Sequence, residues 1–326
     1  MTDGSARLLK FTDLEGWAAD DHQAALSVFV ASMDALTGPD WLALRGIGPD
    51  AAKNPDRARS FFEQHFQPTQ IGEQPALFTG YYEPVFAASP VCTPLFRYPI
   101  YRKPPELAEG AIWPPRSDIE TGGLLHGRGL EIAWLESAVD VFFLMIQGSG
   151  RLCMPDGRME RVGYGGKNNQ PYKSLGQDLI KRGLLAEAHA SSESIRVILE
   201  SAPDQGVELM AINPSFVFFK PLEDLAEDKG PIGTIGRSIT PLRSIAVDPE
   251  YTPLGAPVWV ERYGARPVRS LMVAQDTGSA IKGPQRADIF YGTGKDAGLA
   301  AGAVKDAGRM VVLLPVDRAM ALVGDR

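Results

Sequence analysis

Near its N-terminus the chain shows hydrophobic positions with the period of an α-helix. Asp20 and Asp21 can cap such a helix. Apolar residues then recur at helical spacing, at Ala25, Val28, Phe29 and Leu36. A second helix is expected to begin at Asn54-Pro55, because proline fits the first helical turn, and its apolar residues fall on one face. These patterns predict that the chain opens with helices.

Beyond residue 76, short apolar runs separated by Gly and Pro turns replace the helical pattern. The run at residues 139–146 is almost continuously apolar, which is typical of a buried strand, and it stops at Gly148. Further strands are predicted at residues 77–82, 215–219, 244–247, 258–262, 269–274, 287–291 and 310–314. Strands this short favour a small closed barrel over a Rossmann sheet.

Three helices are expected to interrupt these strands. Ser174 and Gln177 have the spacing of a capping box, and Gly183 is placed to end that helix. Another helix is expected after Ser192, and a third, rich in Ala and Gly, at residues 296–305.

Composition narrows the class of protein. The 326 residues are 44% hydrophobic and 22% charged, with a formal net charge of −7, which fits a folded globular protein of about two domains. The sequence has no clustered basic tract. Nucleic acid and anionic lipid are therefore not expected as partners, since both are bound by clusters of Lys and Arg.

The two cysteines and four histidines have no metal-ligand spacing, so no metal site is predicted. Cys92 and Cys153 lie among apolar residues, where buried free thiols are common. A single disulfide between them is the alternative.

The sequence shows no membrane-spanning or export segment. It has no run of about 18 apolar residues, and its first ten residues lack a charged start followed by an apolar stretch. We therefore expect either a cytoplasmic protein or a targeting segment that lies outside this sequence.

Three aspartates in the last third of the chain are the strongest candidates for chemistry. Asp248 and Asp276 each follow a predicted strand, and Asp288 lies near the start of another. Each one alone fits a turn or a cap, where Asp is favoured. As a set at strand ends in a glycine-rich context, they indicate a site. Lys282, between the last two, either lies in solvent or holds a nearby carboxylate ionised.

Two other motifs combine aromatic and polar residues. Thr79, Tyr81 and Tyr82 lie within residues 78–84, where rings with hydroxyl groups suit sugar binding and also suit a core. Gln147 and Ser149 lie at the end of the predicted buried strand, and they fit a hairpin turn equally well.

At these residues the sequence resembles the membrane-bound lytic murein transglycosylase A family. The resemblance covers most of the chain, from about Gly16 to Pro315, in several motifs that occur in the same order. They lie at residues 78–84, 146–151, 163–164, 167–168, 213–215, 218–219, 240–241, 246–249, 253–255, 276–278, 280–283 and 288, and in the glycines and alanines of 292–302. The C-terminal part resembles the 3D domain, which is named for three aspartates.

The resemblance implies a mainly β protein with some α structure. Residues 1–84 and 221–326 are expected to form a double-psi β-barrel domain with N-terminal helices. Residues 85–220 are expected to form a smaller inserted β-rich domain, with a groove between the two domains. Family members usually carry an export signal and a lipid-attachment cysteine, which this sequence does not show. The implied location is the periplasm, and association with the outer membrane and with cell-wall enzyme complexes is a further expectation.

The implied activity is cleavage of the glycan strands of peptidoglycan. The family cuts the β-1,4 bond between N-acetylmuramic acid and N-acetylglucosamine without water and leaves a 1,6-anhydro ring. Its catalytic aspartate maps onto Asp288 and its supporting aspartate onto Asp276. The expected substrate-binding residues are Thr79, Tyr81, Tyr82, Gln147, Ser149, Lys282 and Asp248. No metal or cofactor is implied.

One carboxyl group can serve such a reaction. Asp288 would protonate the leaving oxygen and then, as a carboxylate, take the proton of the C6 hydroxyl that attacks C1. Burial beside Ile289 and Phe290 and the charge of Asp276 are expected to raise the pKa of Asp288, which keeps it protonated often enough near neutral pH.

Two other functions stay open at the level of sequence. Asp276-Thr277-Gly278 is the tripeptide of aspartic proteases, but it occurs once, so a protease would need a dimer. The other possibility is a non-catalytic module that holds peptidoglycan without cutting it.

Overall fold

The computed structural model describes residues 6–324, which fall into two compact units. The first unit contains the residues up to Tyr81, Asp228–Gly292 and the residues from Ala303 onward. The second unit contains Tyr82–Glu227 and Thr293–Gly302. The domain division at residues 84 and 220 that the sequence suggests remains a prediction.

Strands account for most of the regular structure in the C-terminal third. In chain order they are β1 (Ala6–Leu8), β2 (Phe66–Ile71), β3 (Ala76–Glu83), β4 (Val85–Ser89), β5 (Tyr98–Tyr101), β6 (Glu131–Leu135), β7 (Gly150–Cys153), β8 (Met159–Lys167), β9 (Val217–Pro221), β10 (Ser244–Val247), β11 (Pro257–Arg262), β12 (Val268–Thr277), β13 (Arg286–Thr293) and β14 (Lys305–Pro315).

The helices lie mostly between these strands. They are α1 (His22–Ser32), α2 (Pro39–Leu42), α3 (Gly48–Ala51), α4 (Pro55–His65), α5 (Arg116–Glu120), α6 (Ala138–Gln147), α7 (Leu175–Lys181), α8 (Ser192–Ser201), α9 (Pro203–Ala211), α10 (Lys295–Gly302) and α11 (Val316–Gly324). Single 3-10 turns occur at Phe11–Asp13, Trp17–Ala19, Met33–Ala35 and Glu187–His189. Within residues 6–324, no helix is both long enough and apolar enough to cross a membrane.

The strands of the first unit close into a barrel. Within residues 6–324, neighbouring strands pair in the order β14–β11–β12–β10–β13–β3, and β3 pairs back onto β14, which completes a ring of six strands. The same β14 also pairs with β2, and β2 pairs with β1. A closed barrel and a second β-rich unit confirm the predicted fold class.

Helices α1 and α4 pack on this barrel through aromatic residues. Asp21 caps α1 by accepting from the Ala24 N–H at 3.0 Å, and the Asn54 side chain caps α4, so both predicted helix starts are confirmed. The fully buried Trp259 of β11 packs edge-on against Trp17, with ring centroids 5.2 Å apart. The barrel wall and the N-terminal helices therefore share one core.

The second unit is built on a six-stranded sheet within the described part of the chain. Its strands lie in the order β5–β6–β4–β7–β8–β9. Helix α6 contributes to the core beside this sheet and to a smaller core that also contains residues of α7, α8 and α9. The helix predicted after Ser174 is confirmed as α7. The Ser174 side chain caps it by accepting from the Gln177 N–H at 3.3 Å.

The strand predicted at residues 139–146 is wrong, because these residues form α6. Ser137 caps the helix by accepting from the Val139 N–H at 3.1 Å, and Gly148 ends it in the left-handed region with φ of 76°. Eight of its ten residues are apolar, and six of the ten side chains are buried. A helix that is apolar on all sides shows no 3.6-residue period, so its sequence resembles that of a buried strand.

The expectation of buried thiols is also wrong. Both Cys92 and Cys153 are free and exposed. Cys153 ends β7 immediately after the fully buried Leu152. Successive side chains of a strand point to opposite faces, so an apolar neighbour in sequence does not imply burial.

Candidate active site

Strand β10 places two aspartates at the same level of the barrel. Its residue Ala246 pairs with Asp276 of β12 on one side and with Asp288 of β13 on the other. The backbones of the two aspartates are therefore two strand spacings apart, roughly 10 Å. Asp248 follows the last residue of β10. The three aspartates singled out in the sequence lie around the ends of three adjacent strands.

Asp288 is held by β3, the neighbouring strand. The Thr79 hydroxyl donates to Oδ1 of Asp288 at 2.6 Å, and Nη2 of Arg286 donates to the same hydroxyl oxygen at 2.8 Å. Burial raises the pKa of Asp288 to about 6; the Thr79 hydrogen bond and the Arg286 charge oppose this rise, and the charge of Asp276 adds to it. Such a carboxyl can both give and take a proton near neutral pH.

Asp276 is surrounded by donors. Its Oδ1 accepts from the backbone N–H groups of Thr234 and Thr277, both at 2.9 Å, and from the Thr234 hydroxyl at 3.0 Å. Its Oδ2 accepts from the Tyr81 hydroxyl at 3.1 Å. Burial raises the pKa of Asp276, while these four hydrogen bonds act in the opposite direction. The donors favour the charged carboxylate and fix its orientation.

Tyr81 stays a hydrogen-bond donor at all ordinary pH values. Burial, followed by the charges of Asp276 and Asp288, raises the pKa of Tyr81 well above its usual value of 10. Its ring packs against Phe290 of β13, with centroids 5.3 Å apart. Thr79 and Tyr81 are two residues apart on β3, so they share one face of that strand.

Lys282 reaches Asp248 and also lies in solvent. Its Nζ is 3.5 Å from Oδ1 of Asp248, and the Gly283 N–H donates to Oδ2 at 2.9 Å. The lysine side chain is 63% exposed, whereas that of Asp248 is 3% exposed. From the sequence, Lys282 was expected either to lie in solvent or to stand beside a carboxylate. In the structure it does both.

The candidates of the second unit surround the end of α6. The backbone N–H of Tyr82 donates to Oε1 of Gln147 at 3.1 Å, and Ser149 is buried just beyond the helix. Tyr82 is half-buried. A Cβ at Gly298 would lie 2.8 Å from its ring, so a larger residue there would force the Tyr82 ring or α10 to shift.

Glu83 occupies the centre of a buried ionic cluster. Its Oε2 lies 2.8 Å from Nε of Arg151, and its Oε1 lies 2.8 Å from Nη2 of Arg161. The Thr293 hydroxyl donates to Oε2 at 2.7 Å, and the Gly294 N–H donates to the Glu83 carbonyl at 2.9 Å. Glu83 and Arg151, which belong to the motifs at residues 78–84 and 146–151, therefore contact each other and stabilise the fold.

Asn168, from another matched motif, also serves the fold. It is fully buried, and its Nδ2 donates to the carbonyls of Pro114 at 2.9 Å and Pro214 at 2.8 Å. Its Oδ1 accepts from the Phe216 N–H at 2.8 Å. One asparagine thus ties three loop or strand segments of the second unit together.

Two residues of the site were missed by sequence reasoning. Arg286 precedes Asp288 by two positions on one strand, so the alternation of strand side chains could have placed both on one face. Thr234 lies 42 residues before Asp276 in a glycine-rich loop, and nothing in its local pattern points to the contact. Among residues 6–324, no cluster of three or more His, Cys, Asp or Glu side chains is arranged to hold a metal ion.

Comparison with known proteins matches both parts of the chain. Residues 77–220 match the MltA specific insert domain, and residues 243–314 match the 3D domain. The membrane-bound lytic murein transglycosylase A of Vibrio cholerae is 36% identical over 246 residues, which make up 72% of this chain and 64% of that protein.

Solved structures show the same fold. A membrane-bound lytic murein transglycosylase from Agrobacterium tumefaciens superposes with a TM-score of 0.86 at 31% identity, covering 97% of this chain and 99% of the other. Escherichia coli MltA with bound chitohexaose gives a TM-score of 0.76 at 28% identity over 91% of each chain. This chain therefore belongs to the membrane-bound lytic murein transglycosylase A family.

Proposed function

We propose that this protein is a lytic transglycosylase of peptidoglycan. It cleaves the β-1,4 bond between N-acetylmuramic acid and N-acetylglucosamine without water and leaves 1,6-anhydromuramic acid ends. The observation that carries the proposal is the Asp288 carboxyl, whose pKa burial raises to about 6 and whose orientation Thr79 fixes. The name of the relatives and the chitohexaose bound by the Escherichia coli relative support a glycan substrate.

In the first half of the reaction Asp288 acts as the acid. Its proton passes to the glycosidic oxygen, the bond between that oxygen and C1 of the muramyl sugar breaks, and positive charge develops at C1. General acid catalysis is efficient when the pKa of the acid lies near the working pH, which the pKa of about 6 satisfies.

In the second half the Asp288 carboxylate acts as the base. It removes the proton from the C6 hydroxyl of the same muramyl sugar, and O6 bonds to C1 to close the anhydro ring. The proton returns to Asp288, so no water is consumed. Because the nucleophile is part of the substrate, much of the entropy needed to position it is already lost.

Asp276 takes no part in proton transfer in this mechanism. Four donors already engage its two oxygens, so it is poorly placed to activate a water as a second carboxylate does in hydrolytic glycosidases. Its fixed negative charge instead stabilises the positive charge at C1 and holds the Tyr81 hydroxyl in place.

The remaining candidates bind the glycan. Thr79, Tyr81, Tyr82 and Ser149 offer hydroxyl groups or rings, and the buried Asp248 contributes by holding Lys282 and the Gly283 backbone in place. With its oxygen bonded to the Tyr82 N–H, Gln147 presents its NH2 group to a sugar. Lys282, exposed beside Asp248, can contact a substrate carboxylate.

We propose that the working enzyme is located in the periplasm. We also propose that it associates with the outer membrane and with cell-wall enzyme complexes. Peptidoglycan lies outside the cytoplasmic membrane, and the relatives are named membrane-bound. Fractionation of native cells, with the protein recovered from the envelope, would support this location, whereas recovery from the cytosol would exclude it.

Mass spectrometry of muropeptides released from purified sacculi tests the reaction. The expected ends are 1,6-anhydromuramic acid, lighter than the hydrolytic product by one water. Asp288→Asn should abolish their release, while replacement of the exposed Asp317 by Asn serves as the matched control. Reducing muramic ends would show a hydrolase, and binding to sacculi without soluble products would show a non-catalytic module.

A further inference from the structure

Arg286 forms the far end of a hydrogen-bond chain that leads to Asp288. Its Nη2 donates to the Thr79 hydroxyl oxygen at 2.8 Å, and that hydroxyl donates to Oδ1 of Asp288 at 2.6 Å. Nη1 of Arg286 donates to the Ala287 carbonyl at 2.6 Å and lies 3.4 Å from the Leu77 carbonyl. The guanidinium group is therefore anchored by the backbones of β13 and β3.

The chemistry of the guanidinium gives this chain a direction. A guanidinium carries only donors, whereas a hydroxyl can both donate and accept. The Thr79 oxygen therefore accepts from Arg286, which occupies one of its two lone pairs and favours the orientation in which its hydrogen points to Oδ1 of Asp288. Without Arg286 the hydroxyl could rotate and accept the proton of a protonated Asp288.

This direction decides which oxygen of Asp288 carries its proton. Because Oδ1 accepts from Thr79, the proton of the acid form belongs on Oδ2. Among the residues that the structure describes, Oδ2 of Asp288 receives no hydrogen bond, so its proton is available to a substrate.

We propose that Arg286 is a positioning residue for the acid: it locks the Thr79 hydroxyl as a donor to Oδ1 of Asp288 and thereby keeps the transferable proton on Oδ2. This proposal rests on the proposed transglycosylase function. Arg286 acts on the reaction through Thr79 and through its charge, and it does not itself touch the reacting atoms.

The test is the effect of Arg286→Gln on the rate and on the titration of Asp288. We expect kcat to fall by about tenfold, because a hydrogen bond to a charged group is lost. The pH at which kcat/KM declines should move up by about 0.5–1 unit, since loss of a nearby positive charge raises the pKa of a carboxyl. Arg266→Gln, at an exposed turn, removes the same charge and should change neither.

A double-mutant cycle with Thr79→Val separates positioning from general damage. In the Thr79→Val background, Arg286→Gln should cause little further loss of kcat, because the hydroxyl it orients is absent. Thr79→Ser keeps the hydroxyl, so in the Thr79→Ser background Arg286→Gln should still cost about as much kcat as it does in wild type. The proposal would be overturned if Arg286→Gln lowered kcat equally in the wild-type and Thr79→Val backgrounds. It would also be overturned if Arg286→Gln, like Arg266→Gln, changed neither kcat nor the pH profile. If Arg286→Gln does not fold, Arg286→Lys enters the same cycle, because one ammonium group cannot replace the anchored fork.

Titration of Asp288 without substrate distinguishes failure of this inference from failure of the proposed function. The carboxyl resonance of Asp288, followed by 13C NMR, should titrate at higher pH in Arg286→Gln than in wild type. No upward shift in an enzyme that still releases anhydro ends would defeat the inference alone. Absence of anhydro ends from wild type would defeat the proposed function, whatever the titration shows.

Discussion

Asp276 lies two strands away from Asp288, yet its charge raises the pKa of Asp288. Burial is the larger cause of the pKa of about 6, and the carboxylate of Asp276 adds to it. Asp276→Asn should therefore lower the pKa of Asp288, and the decline of kcat/KM with rising pH should move to lower pH. The measurement is the pH profile of muropeptide release.

This shift has the opposite sign to the one expected for Arg286→Gln. The Tyr81→Phe variant is the matched control, because it removes one donor to Asp276 and leaves both charges in place. A midpoint for Asp276→Asn that equals or exceeds that of wild type would contradict the electrostatic coupling between the two aspartates.

The three aspartates should differ in how they affect activity. Asp288→Asn keeps the size of the side chain but removes the acid, so turnover should fall by at least about 10³–10⁴-fold. Asp276→Asn should reduce it less, because orientation and charge change but the acid remains. Asp248→Asn should act mainly through stability, by roughly 0.5–3 kcal/mol. Release of soluble muropeptides and thermal melts of the three variants measure both effects.

The ranking would be reversed by one clear result. If folded Asp288→Asn retains near wild-type turnover while Asp276→Asn is inactive, the proton is carried by Asp276 and the roles assigned above are exchanged.

Asp288→Asn should also stabilise the fold, and more so at higher pH. Between the ordinary aspartate pKa near 4 and about 6, the folded state binds more protons than the unfolded state, so the stability of the wild type falls as pH rises. Above that window the buried charge costs about 1–3 kcal/mol, which the asparagine avoids.

Urea unfolding of wild type and Asp288→Asn at pH 4 and pH 8 measures this difference. The gain in unfolding free energy should be small at pH 4, where both side chains are neutral, and close to its maximum at pH 8. If Asp288→Asn gained the same unfolding free energy at both pH values, burial would not destabilise the ionised form of Asp288.

His22 should make the fold less stable in acid. Its ring is buried edge-on against Trp17, with centroids 4.4 Å apart, and among the described residues its Nε2 has no hydrogen-bond partner. Burial lowers the pKa of His22; Arg59 and Arg243 act in the same direction, while Asp20 and Glu63 oppose them. The side chain is therefore neutral in the folded protein near pH 7.

The sign of the effect follows from proton binding. Below the ordinary histidine pKa of about 6.5, the unfolded state binds a proton that the folded state does not, so unfolding free energy falls as pH decreases. The full contribution of the neutral, buried His22 side chain to the unfolding free energy is present above that pH. His22→Leu should remove this part of the pH dependence, which urea unfolding between pH 5 and pH 8 can detect. Parallel curves for the two proteins would argue against a neutral buried His22.

Glu83→Gln should strongly destabilise the second unit. Glu83 is fully buried between Arg151 and Arg161, and loss of one partner of a buried ionic cluster leaves uncompensated charge, which costs about 3–5 kcal/mol. Glu160→Gln is the control, because its side chain is 42% exposed beside Arg158 and such pairs contribute about 0–1 kcal/mol. Equal melting temperatures for the two variants would refute a stabilising role for the cluster.

Short apolar runs bounded by turn residues were predictable as strands from the sequence, and so was the position of the aspartates at their ends. Asp276 and Asp288 could be identified because each stands beside an apolar run that becomes a barrel strand. Helix α6 could not be assigned, because its almost continuous apolar sequence hides the helical period. The local signals of this helix were its length, the cap at Ser137 and Gly148 at its end.

The contacts that complete the site could not be predicted in the same way. Thr234 meets Asp276 across 42 residues and Thr79 meets Asp288 across 209 residues, so both contacts depend on how the strands are ordered in the barrel. Local patterns report periodicity within about a dozen residues. The direction of the hydrogen-bond chain from Arg286 emerges only when β3 and β13 lie side by side.

Closure of the ring by β3 and β14 also governs when this protein can become active during its synthesis. Thr79 leaves the ribosome early, but its partner Asp288 follows 209 residues later, and the ring closes only after β14 at Lys305–Pro315 has been made. Pairing over such a distance is slow and comes late in folding. A nascent chain that stops before Lys305 therefore contains both residues but lacks the strand that closes the ring around them, so the proposed cleavage should require β14 as well.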